Sequence, residues 1–139
     1  MLKQKYVAFL RGINVGGHHK VPMAILKEEL ETLGFQNIIT VLNSGNIIFQ
    51  TNAANINRLE SKISTHLKKH FEFPVPTIIR KADAILKLHE SNPFKTIELT
   101  KDKRLYISFL KHDIEATLSL PWTSADESYT IVSKNSGAI

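Results

Sequence analysis

The chain has no cysteine, which excludes a disulfide framework and thiolate chemistry and fits a reducing cytoplasm. It also has no apolar run near the roughly 18 residues that a membrane span needs. The first apolar stretch, Tyr6 to Leu10, stops at Arg11 and is too short for the core of a secretory signal. A cytoplasmic location is the expectation, with no membrane partner. Nucleotide motifs are missing as well. The G-x-G-x-x-G pattern is absent. Gly12-x-x-x-x-Gly17 opens like a phosphate-binding P-loop, but His18 and His19 stand where Lys and Ser or Thr are needed, and Lys20 comes two residues late. ATP hydrolysis is therefore not expected.

Catalytic pairs are equally scarce. Ser44 has no identifiable base, and His18 and His19 have no Asp or Glu near them in sequence, so no acid–base pair can be nominated. His66 and His70 stand four apart, one face of a helix, and that spacing can suit a metal. Lys68 and Lys69 between them repel a cation, so a solvated helix face is the stronger reading. No metal and no cofactor is expected, and no catalytic residue can be named. The excess of positive charge, +5, is modest and scattered, with its densest cluster at Lys101, Lys103 and Arg104. An ordinary basic surface explains it better than nucleic acid does.

What the chain does have is a globular composition, 139 residues with 42% hydrophobic and 22% charged side chains. A chain of that size buries roughly two thirds of its unfolded surface. Val7, Phe9 and Leu10 centre a first strand over 5–11. Pro22 suits the first position of a helix. Met23, Leu26, Leu30 and Leu33 then recur at helical spacing until Gly34 stops them. Residues 38–42 and 47–49 flank Asn43-Ser44-Gly45-Asn46, a hairpin signal. Ile56, Leu59, Ile63 and Leu67 mark a second helix, with Asn52 or Asn55 as its cap. Pro74 and Pro76 place the next strand, 75–80, at a sheet edge.

This order is β-α-β-β-α-β, the ferredoxin-like unit. It predicts an α+β fold with a ferredoxin-like subdomain over 1–80. Residues 81–139 then hold a linking helix, 82–91, ending before Asn92-Pro93, and a second, incomplete ferredoxin-like half. Tyr106-Ile-Ser-Phe-Leu-Lys111 repeats the Tyr-x-x-Phe-Leu-basic pattern of Tyr6 to Arg11, the mark of an internal duplication. A helix over 114–118 and a strand over 128–133 follow in the expected sequence, and the chain stops there.

The topology brings two polar segments together. In such a unit the first two strands run parallel with the third returning between them. The loop after the first strand (Arg11, Gly12, Asn14, Gly16, Gly17, His18, Lys20) then lies beside the turn Asn43, Ser44, Gly45 and Asn46. Glycines let backbone N–H groups face a ligand, and the basic side chains attract an anion. The leading reading is a small binding module for a phosphate- or carboxylate-type ligand. Three readings stand beside it: an enzyme of unknown reaction in which Arg11, His18 or Lys20 polarises a substrate, a structural or interaction protein whose glycines only bend the chain, and weak nucleic-acid binding. RNA-binding domains of this topology stack bases on aromatics of the central strands, where this chain has Ile47 and Ile48.

The motifs FLRGINVGG, from Phe9, and SGN-I-I-F, from Ser44, resemble those of a bacterial domain-of-unknown-function family, number sixteen ninety-seven. The similarity continues through Asn92-Pro93-Phe94 and the Tyr106 run and covers nearly the whole chain. The resemblance implies a duplicated ferredoxin-like architecture with swapped or shared terminal strands, and no established activity. Members usually run on through a further helix and a Thr-x-Arg-Asn-Trp-Asn-Thr stretch, whereas this sequence halts at Ser136-Gly-Ala-Ile139. If that tail completes the second half, a strand edge and apolar surface are left uncovered, and a homodimer through the incomplete half is the expectation.

Overall fold

The computed structural model describes residues 3–41, 45–95, 97–98, 100, 103–110, 120–133 and 138. Two compact units divide within the helix over 82–91, one over Met1–Leu86 and one over Lys87–Ile139. The elements are β1 (Lys3–Leu10), α1 (Met23–Thr32), β2 (Gln36–Val41), β3 (Asn46–Asn52), α2 (Ile56–Phe71), β4 (Thr77–Lys81), α3 (Ala82–Ser91), β5 (Trp122–Thr123) and β6 (Thr130–Ile131). The protein is mixed α+β, with a four-stranded antiparallel sheet of order β2-β3-β1-β4 and three helices among the described residues.

In the first unit the strands alternate as a half-buried sheet demands. Tyr6, Ala8 and Leu10 of β1, Ile47 and Phe49 of β3, and Ile79 of β4 are buried, and their neighbours Val7, Phe9, Ile48 and Ile78 are only half-buried on the other face. The buried row shares one core with Leu26 and Leu30 of α1 and Leu59, Ile63 and Leu67 of α2. Each such side chain contributes roughly 1.5–3 kcal/mol of transfer free energy. Phe35, just beyond the Gly34 stop, stacks on Phe49 with ring centres 4.6 Å apart.

The helix ends follow local chemistry. Asn55 caps α2, its side chain accepting from the Arg58 N–H at 3.2 Å, which settles the choice between Asn52 and Asn55. Pro22 is the cap of α1 and not its first helical residue. Its ψ of 132° is extended, and its carbonyl accepts from the Leu26 N–H at 3.0 Å. The edge position of β4 agrees with Pro74 and Pro76. There the buried Glu60 of α2 accepts from the Ile79 N–H at 2.8 Å, satisfying a backbone donor that β1 does not take.

The second unit is less regular. β5 and β6 form a short hairpin, Trp122 opposite Ile131 and Thr123 opposite Thr130. Its turn is tied by Asp126, whose Oδ1 accepts from the Ser124 hydroxyl at 2.7 Å, the Ser128 hydroxyl at 2.8 Å and the Ser128 N–H at 3.1 Å. These bonds, that of Ser124 first, hold the Asp126 carboxyl down at about 2. The strand expected over 128–133 is thus confined to Thr130–Ile131. Over the expected 106–111 strand, the described residues show only an isolated bridge, Phe109 to Ala138. Tyr106 is 72% exposed where Tyr6 is fully buried. A strand needs a ladder partner, and the described residues offer none to 104–108. The expected helix over 114–118 and Lys111, His112 and Asp113 lie outside the described residues.

Candidate functional site

β1 is fastened at its end on both sides. The Leu10 N–H donates to the Gly45 carbonyl at 2.9 Å, and the Arg11 N–H donates to the Pro76 carbonyl at 3.0 Å. Ile13 then dips into the core, 3% exposed. Between Asn14 and His19 the chain doubles back as a small hairpin. The Asn14 N–H donates to the His19 carbonyl and the His18 N–H to the Val15 carbonyl, each at 3.0 Å. Gly16 and Gly17, with φ of 59° and 75°, occupy its two central positions. Positive φ at both is the requirement of a type I′ turn, so this glycine pair is accounted for by the bend itself.

Asn14 locks the base of this tongue. Its Oδ1 accepts from the Val21 N–H at 2.7 Å and its Nδ2 donates to the Val21 carbonyl at 3.0 Å. Val21 is 2% exposed, so the amide replaces water for a buried peptide group. It also sits at φ 56°, a left-handed conformation asparagine tolerates better than most residues. His19 lies flat on Phe73, ring centres 4.2 Å apart and planes 9° from parallel, with Nδ1 3.3 Å from the Gly12 carbonyl.

The second segment meets the first at Gly45. It is buried, at φ 89°, and an added Cβ would lie 2.9 Å from both Leu10 Cβ and Ile13 Cδ1. Close approach therefore demands glycine here. Asn46 follows, half-buried, opposite Phe9 on one side and Val41 on the other. Asn43 and Ser44 lie outside the described residues. Of the expected site residues, the fold thus brings Gly45 against Leu10 and Ile13 at the start of the tongue and pairs Asn46 with Phe9 within the sheet. Arg11, Gly12, Gly16, Gly17, His18 and Lys20 are exposed. Asn14 is committed to Val21.

The charge is unevenly divided. Residues 1–86 hold eleven basic and six acidic side chains, and residues 87–139 hold seven of each. The whole excess of +5 therefore belongs to the unit bearing the tongue.

One pairing escaped sequence reasoning. Glu29 of α1 reaches α2, its Oε1 2.8 Å from His70 Nδ1 and 3.6 Å from His66 Nε2. His66 and His70, read from the sequence as a solvated helix face, thus have a carboxylate neighbour that the sequence did not show, because α1 and α2 share one core. The pairing leaves no signal in the sequence, since its two partners lie on different helices. Among the described residues, no group of three His, Cys, Asp or Glu side chains is arranged to hold a metal ion. No described helix is long and apolar enough to cross a membrane.

A search of curated proteins finds no match. Among solved structures the chain is similar to the conserved bacterial protein SP0830 from Streptococcus pneumoniae, at 31% identity and a TM-score of 0.62. The match covers 70% of this chain and 54% of that one, so the chain spans about half the length of this relative. The family described as "Protein of unknown function (DUF1697)" matches residues 3–136, nearly everything from the first strand onward, and the chain belongs to that family.

Proposed function

We propose that the protein is a small cytoplasmic binding module whose tongue, 11–20, holds an anionic group of phosphate or carboxylate type, with Gly45 at its start. One observation carries this reading. The polar groups that shape the tongue are spent on structure, Asn14 on Val21 and His19 on Phe73 and Gly12, while Arg11, His18 and Lys20 are exposed. Rigid backbone with outward cationic side chains loses little entropy when it captures an anion. The surplus of basic residues in the same unit adds a favourable field. The strand order β2-β3-β1-β4 supports a ferredoxin-like reading of the first subdomain. The Tyr106 run, echoing Tyr6, supports the second unit as its incomplete counterpart.

The test is a titration of the full chain with inorganic phosphate and with a small carboxylate, followed by amide NMR. Saturable shifts of Gly12 to Lys20 and of Gly45 and Asn46, lost in Arg11→Ala and Lys20→Ala, are expected. Shifts spread over the surface, or none, would remove the proposal. A second reading is favoured by the type I′ turn, which explains Gly16 and Gly17 with no ligand at all: the tongue is then a contact element for another protein. In that case anions leave the tongue amides unmoved.

A further inference from the structure

The second unit contains an open groove of about 960 Å³, lined by Phe94, Ile97, Leu105, Ile107, Tyr129 and Ile131 among others. We propose that its occupant is a second copy of this chain, docked on it through the run 104–108. Among the described residues these five have no ladder partner, and their apolar side chains are open to an incoming chain. Leu105, Tyr106 and Ile107 are 43%, 72% and 42% exposed, and Tyr129, which lines the same groove, is exposed as well. Aromatic and aliphatic groups of this kind form the centres of protein interfaces.

Two features select a copy of the same chain over a foreign partner. The unit has seven basic and seven acidic side chains, so two copies meet without net repulsion. The groove also carries both signs, Lys103 and Arg104 with Glu127. A twofold contact places each surface patch against its own counterpart, where a patch of one sign would repel itself and one holding both signs does not. An edge run pairing antiparallel with the same run across a twofold axis satisfies both backbones at once. This interface is independent of the anion reading, since the tongue belongs to the other unit.

Sedimentation equilibrium and hydrogen exchange on the full chain test it. The wild type is expected to dimerise, Ile107→Glu to weaken association by about tenfold or more, and the amides of 104–108 to exchange more slowly as protein concentration rises. Ile107 is already partly exposed, so its replacement leaves the fold intact; if that variant precipitates, the exchange measurement on wild type decides. A monomer at every concentration overturns the proposal. So does a dimer whose 104–108 exchange does not respond to concentration, or a chain that captures another polypeptide but not itself.

Discussion

Replacing Asn14 by alanine strips the Val21 peptide of two partners, the acceptor 2.7 Å from its N–H and the donor 3.0 Å from its carbonyl. Val21 is 2% exposed, so water cannot stand in for either. An unsatisfied buried polar group costs about 1–3 kcal/mol. Alanine at φ 56° adds about 1 kcal/mol of left-handed strain. The expected loss for Asn14→Ala is therefore about 3–7 kcal/mol. Asn14→Gly loses the same two bonds without the strain and should be about 1 kcal/mol more stable than the alanine variant. Asn14→Asp keeps the acceptor for the Val21 N–H and loses only the donor, costing about 1–3 kcal/mol. Urea unfolding followed by far-UV circular dichroism gives the order wild type, Asp, Gly, Ala. Hydrogen exchange at Leu26, whose N–H bonds the Pro22 carbonyl, reports the same event at the start of α1. An alanine variant within about 0.5 kcal/mol of wild type, or a glycine variant less stable than alanine, would refute the account.

Gly45→Ala should destabilise by about 2 kcal/mol or more, because its methyl meets Leu10 Cβ, which cannot swing aside, at 2.9 Å. Gly17→Ala, with φ 75° but nothing within 4 Å, should cost only about 1 kcal/mol, and thermal melts compare the two. Glu60→Ala leaves the buried Ile79 N–H without its acceptor and should cost about 1–3 kcal/mol, while Glu60→Gln retains most of the bond; denaturant midpoints separate them. Asp126 is held at about 2 from an ordinary 3.8, so its support of the turn is fully present above the ordinary value and disappears as pH falls through about 2. The Ser128 amide resonance should follow that titration, and Asp126→Asn should abolish it.

Much of the first unit was legible because its signals are local. Leu26 and Leu30 fall on one helix face, Asn55 precedes an amphipathic run, and two prolines mark the β4 edge. The candidate site was legible only as a neighbourhood. Gly16 and Gly17 look alike in sequence whether they cradle an anion or turn a hairpin, and φ alone separates the two uses. Asn14 reads as a polar loop residue until Val21 is seen to need both ends of its amide. Glu29 and His70 lie far apart in the chain, so nothing short of helix packing could join them. In the second unit the Tyr106 run has strand composition, but a strand is a property of two segments, and composition names only one.

The carboxylate that Glu60 aims at Ile79 has a consequence for how the molecule behaves in a crowded solution. By occupying an outward donor of the border strand, it leaves an incoming polypeptide less of a template along β4. Fibrous growth by stacking further strands onto that border is discouraged at its first step. A single acidic side chain thus withholds one hydrogen-bonding position of that rim from a passing strand.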